Sequence, residues 1–338
     1  MAVLVQRVPL FGRSLALQVA LLLVLLALPQ IAQVSYVLDV MIITAVYVGL
    51  ALSYDLIVGH IGSLSLAQPA FYGVGAYTVG LLSSKAGWPT LACLAAAGLI
   101  AATLALAVGF PSFRLSQYSF AIGTLGFATV AQLVAQNWIA LTDGPMCVTR
   151  IPKASIGPLS FASQSDFYYL MLAVVLGIFL FTHRLVGSRI GRSFAAVREN
   201  EPLAAAVGVD PLKYKLLAFS LSAGVAGMIG GLYAYYINVV CPTELSLFIT
   251  LNLLVILFIG GTGSLRGVVL GAIVGTTIPE LLRVTAAWRL VAFGVALLLI
   301  INFFPDGLEG AFRRLQRRPL KPRPASEPEP ITEPEALV

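Results

Sequence analysis

The sequence predicts an all-α, polytopic integral membrane protein of about ten spans, with both termini in the cytoplasm. Its 338 residues are 59% hydrophobic and only 11% charged, whereas soluble proteins are about a quarter charged. The apolar residues come in long blocks of the length that an α-helix needs to cross a bilayer. The basic residues are concentrated in particular connections between these blocks, as membrane topology requires.

Ten apolar blocks are assigned as spans on length and composition. In chain order they are 15–31, 37–58, 63–84, 90–110, 117–139, 166–186, 215–238, 247–262, 267–285 and 287–304. The eighth and ninth are short, and a glycine-rich run separates them. We expect both to span, with the alternative that one is re-entrant and that the chain is broken near 260–267.

The two ends of the chain differ from its middle. The transmembrane domain is expected to cover 15–310, after a short cytoplasmic N-terminus at 1–14. Arg7 and Arg13 precede an aliphatic run that also resembles a signal peptide, but the next segment needs a partner span, so we expect this run to remain as the first span. Residues 311–338 are basic and then rich in Pro and Glu, a composition that predicts a disordered tail.

The distribution of Lys and Arg sets the orientation. With a cytoplasmic N-terminus, most of the 21 basic residues lie in inside segments, including six in the connection 184–215 and six after residue 310. Positively charged connections stay on the cytoplasmic side. The net charge of +6 therefore reflects topology and does not indicate nucleic-acid binding.

The connection 184–215 is the most informative segment. It contains a helix-forming patch from Glu201 to Val207, which Gly208 ends. A short cytoplasmic helix between two spans is a surface that another protein can bind. We interpret the connection as a coupling loop and the chain as the membrane part of a larger assembly.

The run from His60 to Tyr77 is unusual for a lipid-facing helix. It contains several serines, Gln68 and Pro69, and a proline removes a backbone donor and frees a carbonyl that neighbours must satisfy. Gly73 begins a flat face for close helix packing. The run is either a pore-lining or gating segment or a tightly packed interior helix.

Two further runs are rich in glycine. Small residues recur at helical spacing between Ser222 and Tyr233, which predicts helix packing. Gly260, Gly261 and Gly263 predict a tight connection or helix break.

The sequence also has a faint internal echo. Gly62-Ser-Leu opens the third predicted span, and Gly263-Ser-Leu opens the ninth. Closely spaced glycines follow in both cases. Because transporters are often built from repeated halves, we interpret these points as topologically equivalent.

Uncharged polar side chains in the predicted spans are candidates for a solute path. The candidates are Ser65, Gln68, Thr124, Thr129, Gln132 and Asn252. Thr129 and Gln132 are three residues apart and share a helix face. These groups either line a path for a polar solute or only form hydrogen bonds between helices.

Several function classes lack their signatures. The chain has no Gly-x4-Gly-Lys-Ser/Thr motif, so it has no P-loop for hydrolysing ATP. His60 and His183 have no neighbours that suggest a metal site, and no catalytic constellation is evident. Asp55 lies near a span end, where we expect it to anchor the helix at the interface. The scarcity of acidic residues inside the spans argues against a proton-driven carrier.

The three cysteines are scattered, without metal-type spacing. Cys93 lies in an apolar run, where it is expected to be a small packing residue. Cys147 and Cys241 both fall outside in this topology. We expect them to be unpaired, with a bridge between them as the alternative.

Four blocks between about residues 43 and 304 carry a family resemblance. They read GSLSL with AFYGVGAY at 62–77, FAIGTL with NW and LTDGP at 120–145, GRSFAAVRENE with YKLLAF at 191–219, and GGTGSLRG with PELL at 260–282. Together they resemble the branched-chain amino acid ABC transporter permease family, of the LivM type.

The resemblance implies a bacterial inner-membrane complex. Such a permease pairs with a homologous second permease, two cytoplasmic subunits that bind ATP and Mg, and an extracytoplasmic solute-binding protein. It has no cofactor of its own, and ATP-driven closure of the ATPases alternates the access of the spans. The resemblance assigns the ATPase-docking surface to Arg198, Glu199, Glu201, Ala205 and Gly208.

Other solutes and classes are also considered. The family's outer loop after Thr142 is usually glycine-rich, whereas here it reads DGPMCVTR, so urea, short amides or aromatic acids are alternative solutes. An autonomous secondary carrier or channel would need its own ion-coupling residues, which are scarce. A membrane-embedded enzyme would need clustered His, Asp or Glu at one membrane face, and the sequence shows no such cluster.

Overall fold

The computed structural model of the protein describes residues 35–157, 159–161, 163–281 and 310. The predictions for 1–14, 15–31, 287–304 and 311–338 concern residues outside these ranges. Within them, the regular structure is helical apart from one antiparallel pair of two-residue strands, β1 Ser155–Ile156 and β2 Leu159–Ser160. The predicted all-α class is confirmed.

Eleven helices lie in the described part of the chain. They are α1 Ser35–Asp55, extended by a π-helical segment Leu56–Ile61, α2 Gln68–Lys85, α3 Thr90–Ser112, α4 Gln117–Asn137, α5 Ile139–Thr142, α6 Gln164–Gly187, α7 Arg189–Glu199, α8 Glu201–Ala206, α9 Pro211–Ile237, α10 Leu247–Gly260 and α11 Leu265–Leu281. Each predicted span from the second to the ninth coincides with one helix. Five of these helices, α1 with its extension, α3, α4, α6 and α9, are long and apolar enough to cross a membrane.

Two helices begin at residues that the sequence analysis placed differently. α2 begins at Gln68 instead of 63, because Pro69 lies in its first turn, where a missing N–H costs nothing. α9 begins at Pro211 instead of 215. The Asp210 side chain accepts hydrogen bonds there from the backbone N–H groups of Leu212 and Lys213, at 3.1 and 3.3 Å.

Helix α7 was not predicted. The Ser188 hydroxyl caps its first turn by accepting from the N–H of Gly191 at 3.4 Å. Its buried residues, Gly191, Phe194 and Val197, are spaced by three and lie on one face. That face packs against α6, α9 and the π-helical end of α1. Because the apolar face is short and arginines interrupt it, the sequence pattern does not indicate a helix here.

The centre of the fold is α9, which packs against α1, α2 and α3. At Gly75 in α2, any side chain would overlap the backbone of Gly227, and at Gly230 it would overlap the carbonyl of Tyr72. On the other side, a Cβ at Gly227 would lie 2.6 Å from that of Ala101 in α3. The packing interpretation of the run from Ser222 to Tyr233 is therefore confirmed.

Helices α10 and α11 form a hairpin that packs against α1. Gly260 leaves room for the carbonyl of Gly267, and Gly271 leaves room for that of Ile256. The break predicted near 260–267 is confirmed as a turn in which Gly261 and Gly263 have positive φ. With 14 residues, α10 is about 21 Å long, which is shorter than the roughly 30 Å hydrocarbon core.

A disulfide joins Cys147 to Cys241 across 94 residues of sequence. The expectation that these cysteines are unpaired is wrong. Val148 and Val240 exchange backbone hydrogen bonds of 2.9 and 3.0 Å, and this antiparallel bridge brings the adjacent cysteines together. Cys93 is buried and free, as expected. Disulfides persist in oxidising compartments, in keeping with the predicted outer location of both cysteines.

Candidate functional site

The central part of the predicted coupling loop, residues 188–210, folds into the two helices α7 and α8, and we call it the docking segment after its predicted role. Asn200 caps α8 by accepting from the N–H of Leu203 at 3.0 Å, and Gly208 follows the helix with a φ of 88°. The helix predicted from Glu201 to Val207 is thereby confirmed. Leu203 and Val207 lie one turn apart with 62% and 72% of their surfaces exposed. An exposed apolar patch rimmed by polar residues is typical of a protein interaction site.

The predicted docking residues around this patch have different surroundings. Glu199, Ala205 and Gly208 are exposed. Glu201 forms an ion pair of 2.5 Å with Lys215, which attaches the start of α8 to α9. Glu201 is half exposed, so this pair positions the helix more than it stabilises the fold.

Arg198 is exposed at the end of α7, and its guanidinium is directed towards the adjoining ends of the transmembrane helices. Its Nη1 donates a hydrogen bond to the carbonyl of Gly59, in the π-helical end of α1. A Cβ at Gly62 would lie 3.0 Å from Arg198 Cγ, and one at Gly263 would lie 2.9 Å from Arg198 Nη1. The guanidinium therefore lies between the turn after α1 and the turn between α10 and α11.

Asp55 completes this arrangement from within α1. Its side chain is fully buried, so the expectation that it anchors α1 at the interface is wrong. Asp55 Oδ1 accepts a 2.8 Å hydrogen bond from the N–H of Gly263, and Oδ2 lies 3.3 Å from His60 Nδ1. Gly59 needs to be glycine, because any side chain there would overlap the Asp55 carboxylate.

We call the group of Asp55, Gly59, Gly62, Arg198 and Gly263 the glycine junction. It connects the docking segment to α1 and to the α10–α11 hairpin. Gly62 and Gly263, the two glycines of the internal echo, have φ values of 79° and 80° and both contact Arg198. A single arginine thus touches both copies of the Gly-Ser-Leu element.

A second group of polar side chains is buried among α1, α2, α4 and α9. Gln68 Nε2 donates to Ser53 Oγ at 2.8 Å, and Ser222 Oγ donates to the Ser53 carbonyl at 2.6 Å. Thr124 Oγ1 accepts from the N–H of Leu66 at 3.0 Å. We call Ser53, Ser65, Gln68, Thr124 and Ser222 the polar cluster. Its hydrogen bonds hold the extended stretch before α2, and Pro69 opens the helix that follows.

The other predicted path residues lie apart from the polar cluster. Thr129 is exposed on α4 and donates to the Leu125 carbonyl of its own helix at 3.0 Å. Gln132 is half-buried on the same helix, and Asn252 is exposed on α10. The structure therefore separates the candidates into a buried, hydrogen-bonded group and a group on the more accessible faces of α4 and α10.

Glu244 is a candidate that the sequence analysis missed. It lies in the short turn Pro242–Leu245 between α9 and α10, and its side chain is half-buried. Burial raises the pKa of the Glu244 carboxyl to about 7. The sequence analysis placed Glu244 in the connection between two predicted spans. The only signal that this connection enters the helix bundle was the short length of the span that follows it.

Comparison with known proteins places these features in a family. The sequence matches the family described as "Branched-chain amino acid transport system / permease component" over residues 36–302. No solved structure matches the chain significantly.

Three relatives illustrate the range of permeases to which the chain is similar. The chain is similar to the high-affinity branched-chain amino acid transport system permease protein LivM of Escherichia coli K12, with 33% identity over 86% of this chain and 73% of the relative. It is also similar to LivH of the same strain, with 24% identity over 78% of this chain and 91% of the relative. The autoinducer 2 import system permease protein LsrC of Salmonella paratyphi B is 31% identical over 44% of each chain.

Proposed function

Because the chain belongs to the family of branched-chain amino acid transport permease components, we propose that it is the membrane-spanning subunit of an ATP-driven importer. The proposed solutes are branched-chain amino acids or related small polar molecules. The proposal places the chain in a bacterial inner membrane, with the docking segment in the cytoplasm. The chain itself is a transport subunit and not an enzyme.

The observation that carries the proposal is the path from the docking segment to the spans. The exposed pair Leu203 and Val207 offers an apolar contact to a partner. Arg198 connects the same segment to Gly59 in the π-helical end of α1 and to the turn at Gly263. A displacement of the docking segment would therefore be transmitted to α1 and to the α10–α11 hairpin together.

The partners in this proposal follow from the family. The chain resembles both LivM and LivH, two permeases of one transport system, which supports a homologous second permease as a partner. Two cytoplasmic subunits would bind ATP with Mg and hydrolyse it, and an extracytoplasmic binding protein would deliver the solute. Thr129, Gln132 and Asn252, on the accessible faces of α4 and α10, would be available to a path shared with the second permease.

The solute has alternatives. LsrC is named for the import of autoinducer 2, so the solute is not assigned by the fold alone. Urea, short amides and aromatic acids therefore remain candidates beside the branched-chain amino acids. The outer loop that departs from the family pattern is held by the Cys147–Cys241 disulfide and would face the binding protein.

The experiment is to co-express the chain with the second permease and the candidate ATPases and to purify the complex. The double variant Leu203→Asp, Val207→Asp is expected to lose the ATPases while still inserting in the membrane, because charges replace an apolar contact. The control is Lys213→Ala, since this side chain is also exposed and pairs with Asp210 within the chain.

If the double variant retained the ATPases, the docking segment would not be their binding site. If the intact chain bound no ATPase and transported leucine under an ion gradient alone, the importer proposal would be replaced by an autonomous carrier.

A further inference from the structure

The turn Pro242–Leu245 enters the helix bundle from the predicted outer side. Leu245 is only 2% exposed and fills the space that Gly73 leaves on α2. The turn packs against α2 and α4, and the Cys147–Cys241 disulfide attaches its first end to the outer connection. The neighbouring Glu244 is thereby held at a defined depth beside α2.

Among the described residues, the Glu244 carboxylate has no partner. It has no hydrogen bond or ion pair with any other residue in the part of the chain that the structure describes. Burying even part of a carboxylate without a partner is costly. The carboxylate therefore lies ready to accept a cation.

A second unpartnered group lies on α2 between Gly73, which meets Leu245, and Gly80, which meets Val148 and Val240. The Tyr77 hydroxyl is buried without a hydrogen-bond partner, and the charge of Glu244 acts on it. The same charge acts on Tyr72 of α2 and on Tyr233 of α9. A carboxylate, a free hydroxyl and aromatic rings are together the groups that bind an ammonium ion, which offers three N–H donors and is attracted to ring faces.

We propose that Glu244 and Tyr77 bind the ammonium group of the imported solute in the outer half of the permease. The inference rests on the proposed importer function and narrows its solute to a primary amine such as an amino acid. Urea and neutral amides carry no ammonium group and would gain no ion pair from Glu244. Tyr72 and Tyr233 would shield this ion pair from water.

Within the described residues, few other charged or titratable groups act on the site. Asp143, from the connection after α5, also acts on Tyr77, and Tyr47 of α1 acts on Tyr72 and Tyr233. Tyrosines stay neutral near pH 7. Glu244 is therefore the group whose charge changes in this range.

The test uses the complete importer in proteoliposomes with leucine as the probe. ATP-driven leucine uptake by Glu244→Gln is expected to fall by about tenfold or more, the size of one lost charged hydrogen bond. Tyr77→Phe is expected to lose less. Asp166→Asn is the matched control, because this carboxylate is exposed at the predicted outer end of α6. All variants are expected to keep the ATPase activity that the loaded binding protein stimulates, which shows that the complex is intact.

The pH profile distinguishes a ligand site from a structural role. Uptake by the wild type is expected to rise between about pH 6 and 8, because Glu244, with a pKa of about 7, must be ionised to bind the cation. Glu244→Gln is expected to lose this rise. Wild-type leucine uptake and pH dependence in Glu244→Gln would overturn the site and leave the importer in place. Uptake of urea but not leucine by the wild type would also overturn the site alone. No ATP-driven uptake by the wild-type complex would overturn both proposals.

Discussion

At the scale of single residues, Arg198 shows why a residue type does not state its role. Both its charge and its place in a basic connection suggest a surface residue that meets a partner. Its guanidinium also binds the Gly59 carbonyl, and its side chain packs closely against Gly62 and Gly263. The residue is exposed and also connects the proposed docking segment to the end of α1.

Replacing Arg198 is therefore expected to separate ATP hydrolysis from import. Arg198→Ala should bind the ATPases normally but import about tenfold less solute per ATP hydrolysed, because one charged hydrogen bond across the glycine junction is lost. The measurement is solute uptake and phosphate release in the same proteoliposomes. Arg192→Ala is the control, since Arg192 is exposed on the same helix. Loss of ATPase binding in Arg198→Ala would place the residue on the docking surface after all.

At the scale of helices, α2 and α9 pack closely because glycines lie at their contact. Gly75 meets the backbone of Gly227, and Gly230 meets that of Tyr72. Helix association in membranes depends on such close packing, since lipid tails are as apolar as the side chains they would replace. The polar cluster adds hydrogen bonds between α1, α2 and α9 near the same contact.

A pair of glycine substitutions tests this contact. Gly75→Ala is expected to lower the thermal unfolding temperature in detergent, because the new methyl group overlaps the Gly227 backbone and α9 must move. Gly123→Ala in α4 should leave that temperature unchanged or raise it slightly, since no atom lies within 4 Å of its added Cβ and alanine favours the helix. Equal unfolding temperatures for the two variants would contradict a tight α2–α9 contact.

At the scale of the whole molecule, the predicted outer connections form one unit. The disulfide and the Val148–Val240 bridge join the connection before α6 to the connection before α10. That unit holds the turn with Glu244 against α2. Its geometry therefore controls the proposed ammonium site as well as the outer surface.

Thiol counting checks this unit. Of the three cysteines, only Cys93 is expected to react in the denatured, non-reduced protein, and all three should react after reduction. The double variant Cys147→Ser, Cys241→Ser is expected to lose about 2–4 kcal/mol of stability, the usual contribution of a disulfide. Reductant should lower the unfolding temperature of the wild type and leave that of the double variant unchanged. Three reactive thiols before reduction would rule out the bridge.

Features with a local origin could be predicted from the sequence by itself. The all-α class and helices for spans two to nine follow from runs of apolar residues. The helix after Asn200 follows from its capping residue and Gly208. The four sequence blocks likewise indicate the family. These features depend on residues close together in the chain, so composition and spacing are sufficient to recognise them.

Only the tertiary structure decided how distant residues meet. It buries Asp55 against Gly263, pairs Cys147 with Cys241 and directs Arg198 towards two turns that are far apart in sequence. It also separates Gln68 from Asn252, although both were predicted path residues, and packs the turn that contains Glu244 against α2. Each of these outcomes depends on a contact between segments far apart in sequence, and its energy comes from burial and backbone approach that no local pattern encodes.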